Sequence, residues 1–119
     1  MADIPQIEEI LKEIEGREGI HEAFLVTRSG MYIAGDLPKG VEQETYASMF
    51  AVLLGSADTA TSQMKEPMQG VSVHLRDSKL VVLGDGPKAL FVLRAGEDVP
   101  VRRLREFLGP FSARLEEHL

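Results

Sequence analysis

Cysteine is absent from the 119-residue chain. Disulfides and thiolate metal sites are therefore excluded, and a cytoplasmic location is the default expectation. No apolar run approaches the ~20 residues needed to span a membrane. The opening Met1-Ala2-Asp3-Ile4-Pro5 lacks the basic and apolar regions of a signal peptide. Positive charge is in short supply, 13 Lys and Arg against 19 Asp and Glu, a formal net charge of −6. That balance argues against wrapping a phosphate backbone, so nucleic acid is not an expected partner. Internal repeats, low-complexity runs and Pro/Gly-rich linkers are also missing, and the length suits one core, so residues 1–119 are expected to form a single domain.

Chemistry-bearing motifs are equally scarce. No Gly-rich loop runs into Lys-Ser/Thr at a helix start, so binding of GTP by a phosphate-binding loop is not expected. Gly84-Asp85-Gly86 reads as a turn between apolar strands. His21, His74 and His118 lack metal-ligand spacing and read as solvated residues on two strands and a tail. A Ser–His–Asp triad is defined by geometry, and none is proposed from sequence. Neither a catalytic residue nor a cofactor or metal site is expected.

What the chain does have is a helix-length segment, Gln43 to Met64, carrying only two charges, Glu44 and Asp58. A 3.6-residue projection gathers Tyr46, Met49, Phe50, Leu53, Leu54, Ala57, Ala60 and Met64 on one arc of roughly 140°. The opposite side reads Ser48, Ala51, Val52, Gly55, Thr59 and Ser62, small and weakly polar where a solvated helix would carry Lys and Glu. One face is expected to pack on this chain's own sheet. The other is expected to meet a second helix, from another copy of the chain.

Around this segment the periodicities alternate. Ile4, Ile7, Ile10, Leu11 and Ile14 make an amphipathic helix, with Asp3 and Gln6 set for a capping box and Gly16 for a left-handed end. Residues 20–28 and 31–34 read as a hairpin whose turn takes its positive φ at Gly30. After a loop over 35–41 and the long helix, Pro67 and Gly70 mark a break. Val71–Arg76, Lys79–Leu83 and Ala89–Arg94 read as strands. The first has Val71, Val73 and Leu75 on a dry face and Ser72, His74 and Arg76 on a wet one; the other two carry the wholly apolar runs Leu80–Leu83 and Leu90–Leu93 and read as interior. A last helix from about Val99 to Leu119 has Asp98 as its cap and Pro100 in its first turn, and is kinked or split at Gly109-Pro110. The fold class is α+β: order α-β-β-α-β-β-β-α, one five-stranded antiparallel sheet with the long helix on one face and N- and C-terminal helices.

That order resembles the roadblock / dynein light chain family. The residues that carry the resemblance are the opening helix ending at Gly16 and the hairpin Gly19-Ile20-His21-Glu22-Ala23-Phe24-Leu25-Val26-Thr27-Arg28-Ser29-Gly30-Met31-Tyr32-Ile33-Ala34. The charge-poor long helix and three closing strands agree with it. The resemblance implies a homodimer, or a heterodimer with another roadblock protein, in which the long helices pair and the strand Val71–Arg76 joins its counterpart edge to edge. It adds Val71, Val73 and Leu75 to Ser48, Ala51, Val52, Gly55, Thr59 and Ser62 as an expected dimer interface. Prokaryotic members similar to the mutual gliding-motility protein B bind a small Ras-like GTPase and stimulate its hydrolysis. The resemblance thus implies a non-enzymatic adaptor that regulates such a GTPase.

Two alternatives come from other classes: a scaffold subunit of a larger assembly, and a small-molecule sensor. The sensor needs space between helix and sheet, which Phe50, Leu53, Leu54, Phe91 and Leu93 are expected to fill. Arg102, Arg103, Arg105 and Arg114 on the last helix, with Arg76 and Arg94 at strand ends, read either as solvated side chains or as a contact for an acidic partner. Glu8, Glu9, Glu13 and Glu15 on the first helix read as a wet face or as a surface for a basic partner.

Overall fold

Alternation along three long strands builds the molecule outward from its middle. The computed structural model describes residues 2–119 and contains β1 (Ile20–Thr27), β4 (Ser78–Asp85) and β5 (Ala89–Gly96) as central and near-central strands. Ala23, Leu25, Val81, Leu83, Phe91 and Leu93 point to one side, while Phe24, Val26, Val82, Leu90 and Val92 point to the other. Both faces are covered by helices, and that is why the middles of these strands are apolar on both sides. The short strands β2 (Tyr32–Gly35) and β3 (Val71–His74) close the two edges, giving the order β2-β1-β5-β4-β3 with every pair antiparallel.

Helices α1 (Ile4–Glu15) and α3 (Val101–Glu116) cover the first face, burying Ile7, Leu11, Ile14, Leu104 and Leu115 against it. Helix α2 (Gln43–Thr61) covers the second face alone, through Ala47, Phe50 and Leu54. Phe24, Tyr46 and Phe50 form an aromatic knot there, Tyr46 and Phe50 meeting edge to face at 4.8 Å. Phe91 and Leu93 belong to the α1–α3 side, so they do not fill the space beneath α2 as the sequence had led us to expect.

Several local expectations are corrected. Gly16 is right-handed (φ −70°), because the chain leaves α1 through a tight turn in which Gly16 N–H donates to Lys12 and Glu13 carbonyls; the positive φ falls at Gly19. Asp3 caps α1 by accepting from Gln6 N–H. Asp98 is not the cap of α3. Pro100 occupies that position with extended backbone and no capping side chain, and the helix begins at Val101. Pro110 sits inside α3, and the helix continues through it rather than splitting. Helix α2 stops at Thr61, its start capped by the Glu42 carboxylate accepting from Glu44 and Thr45 N–H. In β3 neither face is dry: Val71, Ser72 and Val73 are half-buried, the strand ends at His74, and Leu75 and Arg76 lie in the turn to β4. Val71 alone of its apolar residues reaches the cluster beneath α2; Val73 and Leu75 lie outside both clusters.

Polar contacts brace the sheet and its helices. Arg94 forks onto Glu22 across β5 and β1, at 2.6 and 3.0 Å, and Arg114 forks onto Glu13, joining α3 to α1. Where α1 meets the first hairpin, Glu15 accepts from Ala23 N–H, and Lys12 donates to Asp36. Burial pushes the Glu15 carboxyl up to about 7, and the neighbouring Asp36 carboxylate adds to the rise. A carboxyl raised from 4.5 in the folded chain holds a proton that the unfolded chain releases. Its stabilisation is complete below about pH 4.5 and lost as pH rises to about 7. Glu15→Gln should therefore be close to neutral at pH 4.5 but stabilise the protein at pH 8, by about 1–3 kcal/mol. Urea unfolding at the two pH values checks this; equal effects at both would show that Glu15 is ionised in the folded chain.

Candidate interaction surface

The outer side of α2 is set by how the helix sits on its sheet. Ala47, with no exposed surface, lets the helix axis approach, and Phe50 and Leu54 follow on the same stripe. Tyr46, Leu53, Ala57 and Thr61 flank that stripe half-buried. Opposite lie Met49, Val52, Gly55, Ser56, Thr59 and Ala60, all exposed, with Val52 at 57%. Val52, Gly55, Ser56, Thr59 and Ala60 line a shallow groove along the helix. Asp58 is the sole charge between Thr45 and Thr61.

Of the sequence-derived interface residues on α2, Val52, Gly55, Thr59 and Ser62 are on this exposed side. Ser48 and Ala51 are not: they are half-buried under the first hairpin, where a Cβ on Gly30 would lie 3.0 Å from Ser48 Cα and 3.4 Å from Ala51 Cβ. Met49, Ala60 and Met64, expected against the sheet, face outward instead. Ser56 was missed altogether. The projection fixed the spacing of the stripe but set it too wide, because one helix contacts a twisted sheet only along a narrow line. An alanine followed by Phe50 and Leu54 at spacings of three and four was the available signal for its centre.

Val71 and Val73 lie on β3, which pairs with β4 on one side and, among the described residues, has no strand on the other. Its outward backbone groups form a ready template for another strand. Leu75, 48% exposed, stands just past its end. The structure thus leaves an uncharged helix face and an unpaired strand edge as separate features of one chain.

Reactive geometry is sparse. Among the described residues no group of three His, Cys, Asp or Glu is placed to hold a metal ion. His74 Nδ1 lies 2.7 Å from Glu97 Oε1, His21 is exposed and His118 is 4.0 Å from Asp3. Of the arginines, Arg94 is committed to Glu22, Arg114 to Glu13 and Arg76 to neighbouring Asp77; Arg102 and Arg103 extend from the start of α3 as exposed side chains. Asp85, read from sequence as a turn residue, is 1% exposed at the end of β4. Ser112 on α3 donates to its Oδ1, while Oδ2 has no partner among the described residues. Burial raises its carboxyl above the usual range. No helix among the described residues is long and apolar enough to cross a membrane.

Comparison with known proteins places this architecture. A search of curated protein sequences finds no match. Among solved structures, the gliding protein MglB of Thermus thermophilus is 23% identical, covering 93% of this chain and 86% of its own, with a TM-score of 0.76. Myxococcus xanthus MglB is 14% identical over 97% of this chain and 88% of its own, at 0.81. A Roadblock/LC7 domain from Streptomyces avermitilis is 14% identical over 92% and 94%, at 0.79. At these identities the likeness is one of fold. The Roadblock/LC7 domain profile matches residues 6–95, from α1 into β5, leaving α3 outside the match. With three quarters of the sequence so matched and a three-helix, five-stranded architecture to go with it, the chain belongs to the Roadblock/LC7 family.

Proposed function

We propose that this chain is a dimeric, non-enzymatic adaptor that binds and regulates a small Ras-like GTPase. The observation that carries the dimer is Gly55. Glycine in a helix interior costs about 1 kcal/mol relative to alanine. Here nothing lies within 4 Å of where a Cβ would sit, and the backbone is ordinary helix, so no contact within the chain requires it. A second backbone approaching closely would. The interface we assign runs over Val52, Gly55, Thr59 and Ser62 of α2, with Met49, Ser56 and Ala60 added and Ser48 and Ala51 at its margin. On the edge strand it takes in Val71, Val73 and Leu75, so that two sheets join across β3.

The regulatory half of the proposal is supported by membership of the Roadblock/LC7 family and by a fold shared with MglB proteins, one of them solved in a tetrameric arrangement. With no phosphate-binding loop in its sequence, the chain would act on a GTPase rather than as one. Residues 1–119 are taken as one roadblock-type domain. Isothermal titration of the purified chain against each Ras-like GTPase of the same cell, loaded with GDP and with a GTP analogue, tests this. Binding to at least one, with a preference between nucleotide states, is the expected result. Silence against all of them in both states overturns the regulatory reading and leaves the dimer to be judged by its mass.

A further inference from the structure

Beneath the C-terminal half of α2 the sheet has a dent. On β4, Leu80 and Val82 face α2, and the next residue in that row is Gly84, paired with Leu90 of β5. No side chain fills the place. Arg28, just beyond the end of β1, lays its guanidinium across it instead: a Cβ on Gly84 would lie 2.8 Å from Arg28 Nη2. The result is a cleft of about 350 Å³, with Arg28, Gly84 and Leu90 along its floor and Leu54, Asp58 and Met68 among its walls. Small-molecule sites fall in the range of roughly 300–1,000 Å³ and combine apolar walls with a few placed polar groups.

The guanidinium is positioned but not spent. Arg28 Nε and Nη2 both donate to Gly86 O, at 3.1 and 2.6 Å, which fixes the side chain against the β4–β5 turn. An arginine carries five N–H groups, so three remain. They sit in a cleft lined by Ala51, Leu54, Met68 and Leu90, with Asp58 and Gln69 as its other polar side chains, on a protein of net charge −6. The lining carries one cation and one anion. A dianion would meet the Asp58 carboxylate, whereas a single acid group can take the guanidinium and leave Asp58 to water.

We propose that this cleft binds a small, singly charged organic acid, its carboxylate on Arg28 and its apolar body against Leu54, Met68 and Leu90. The site is independent of any GTPase. It does share Gly55 with the groove on the outer face of α2, so occupancy would be felt there.

Octanoate and its uncharged isostere octanamide are the probes, titrated into the full isotope-labelled chain and followed by amide NMR. Octanoate is expected to shift the amides of Gly55, Gly70 and Gly84 together with Arg28 Nε–H, and octanamide to bind at least about tenfold more weakly, since charge-assisted hydrogen bonds are the stronger kind. Arg28→Gln should weaken octanoate by a similar factor, and Arg28→Lys should recover part of it. Gly84→Ala keeps the charge but pushes the guanidinium aside, and should also weaken binding. No shift at these glycines up to about 10 mM octanoate, a dissociation constant above the millimolar range, overturns the proposal. So does equal binding of the amide, or unchanged affinity in both Arg28→Gln and Gly84→Ala. Dilution without ligand is expected to move Gly55, which lies in the interface assigned above; shifts of Gly84 and Arg28 Nε–H on dilution would assign the cleft to a second copy of the chain, and would likewise overturn the proposal.

Discussion

Gly55→Arg is expected to halve the solution mass of the protein while leaving its monomer folded. The residue is exposed, its backbone is regular helix and nothing within the chain occupies the space a side chain would enter. Arginine is also a good helix former, so on propensity alone the substitution is favourable by several tenths of a kcal/mol. Against a second helix the sign reverses. A long cation would be buried without a partner in a groove lined by Val52, Thr59 and Ala60, and breaking into such an interface costs several kcal/mol, about a thousandfold or more in dissociation constant. Gly55→Ala separates the two effects: it should raise the stability of the isolated chain by up to about 1 kcal/mol and still weaken the dimer. Light scattering across dilution, with circular dichroism on the same samples, reads both. An unchanged mass for Gly55→Arg would show that the outer face of α2 is not where copies meet.

Gly35→Ala should be among the most damaging single substitutions available, costing about 4 kcal/mol or more. Gly35 has φ +115°, a conformation side chains rarely adopt, and it pairs directly with Phe24 at the sheet edge. A Cβ there would lie 2.4 Å from Ala23 O and 2.5 Å from Phe24 Cα. Both obstacles are backbone of β1, itself held by β5, so neither can move aside. The Gly35 carbonyl also accepts from Tyr32 Oη at 2.5 Å, and Ala23 O accepts from Asp36 N–H, so the corner is fixed from both sides. Gly40 supplies the contrast, with φ +86° but nothing within 4 Å of its missing Cβ. Gly40→Ala should cost only the strain of the left-handed backbone, about 1–2 kcal/mol. Urea unfolding of the two variants measures the difference. A Gly35→Ala protein within about 1 kcal/mol of the parent would mean that the β1–β2 corner is looser than its geometry implies.

Much of this was legible in the chain as written. The apolar runs Leu80–Leu83 and Leu90–Leu93 mark strands covered on both faces, and the hairpin around Ser29-Gly30 follows from turn chemistry within four residues. Periodicity, though, is relative. It told that Phe50 and Leu54 share a stripe, but not that Met49 and Ala60 lie off it, since that phase depends on Phe24, Val82 and Val92 from strands far along the chain. The same holds for β3, whose alternation promises a dry face although only Val71 reaches the packed cluster beneath α2.

By itself, then, the sequence determined the number, kind and order of the elements, the uncharged character of α2 and the family, all of which rest on residues within a turn or two of one another. Only the tertiary structure decided which side of α2 is left open, that Asp85 is buried beneath Ser112, and that Arg28 lies over the vacancy at Gly84, more than fifty residues away. Those are contacts between distant segments. They are settled by how helices and strands pack, where each side chain competes with all others for the same space.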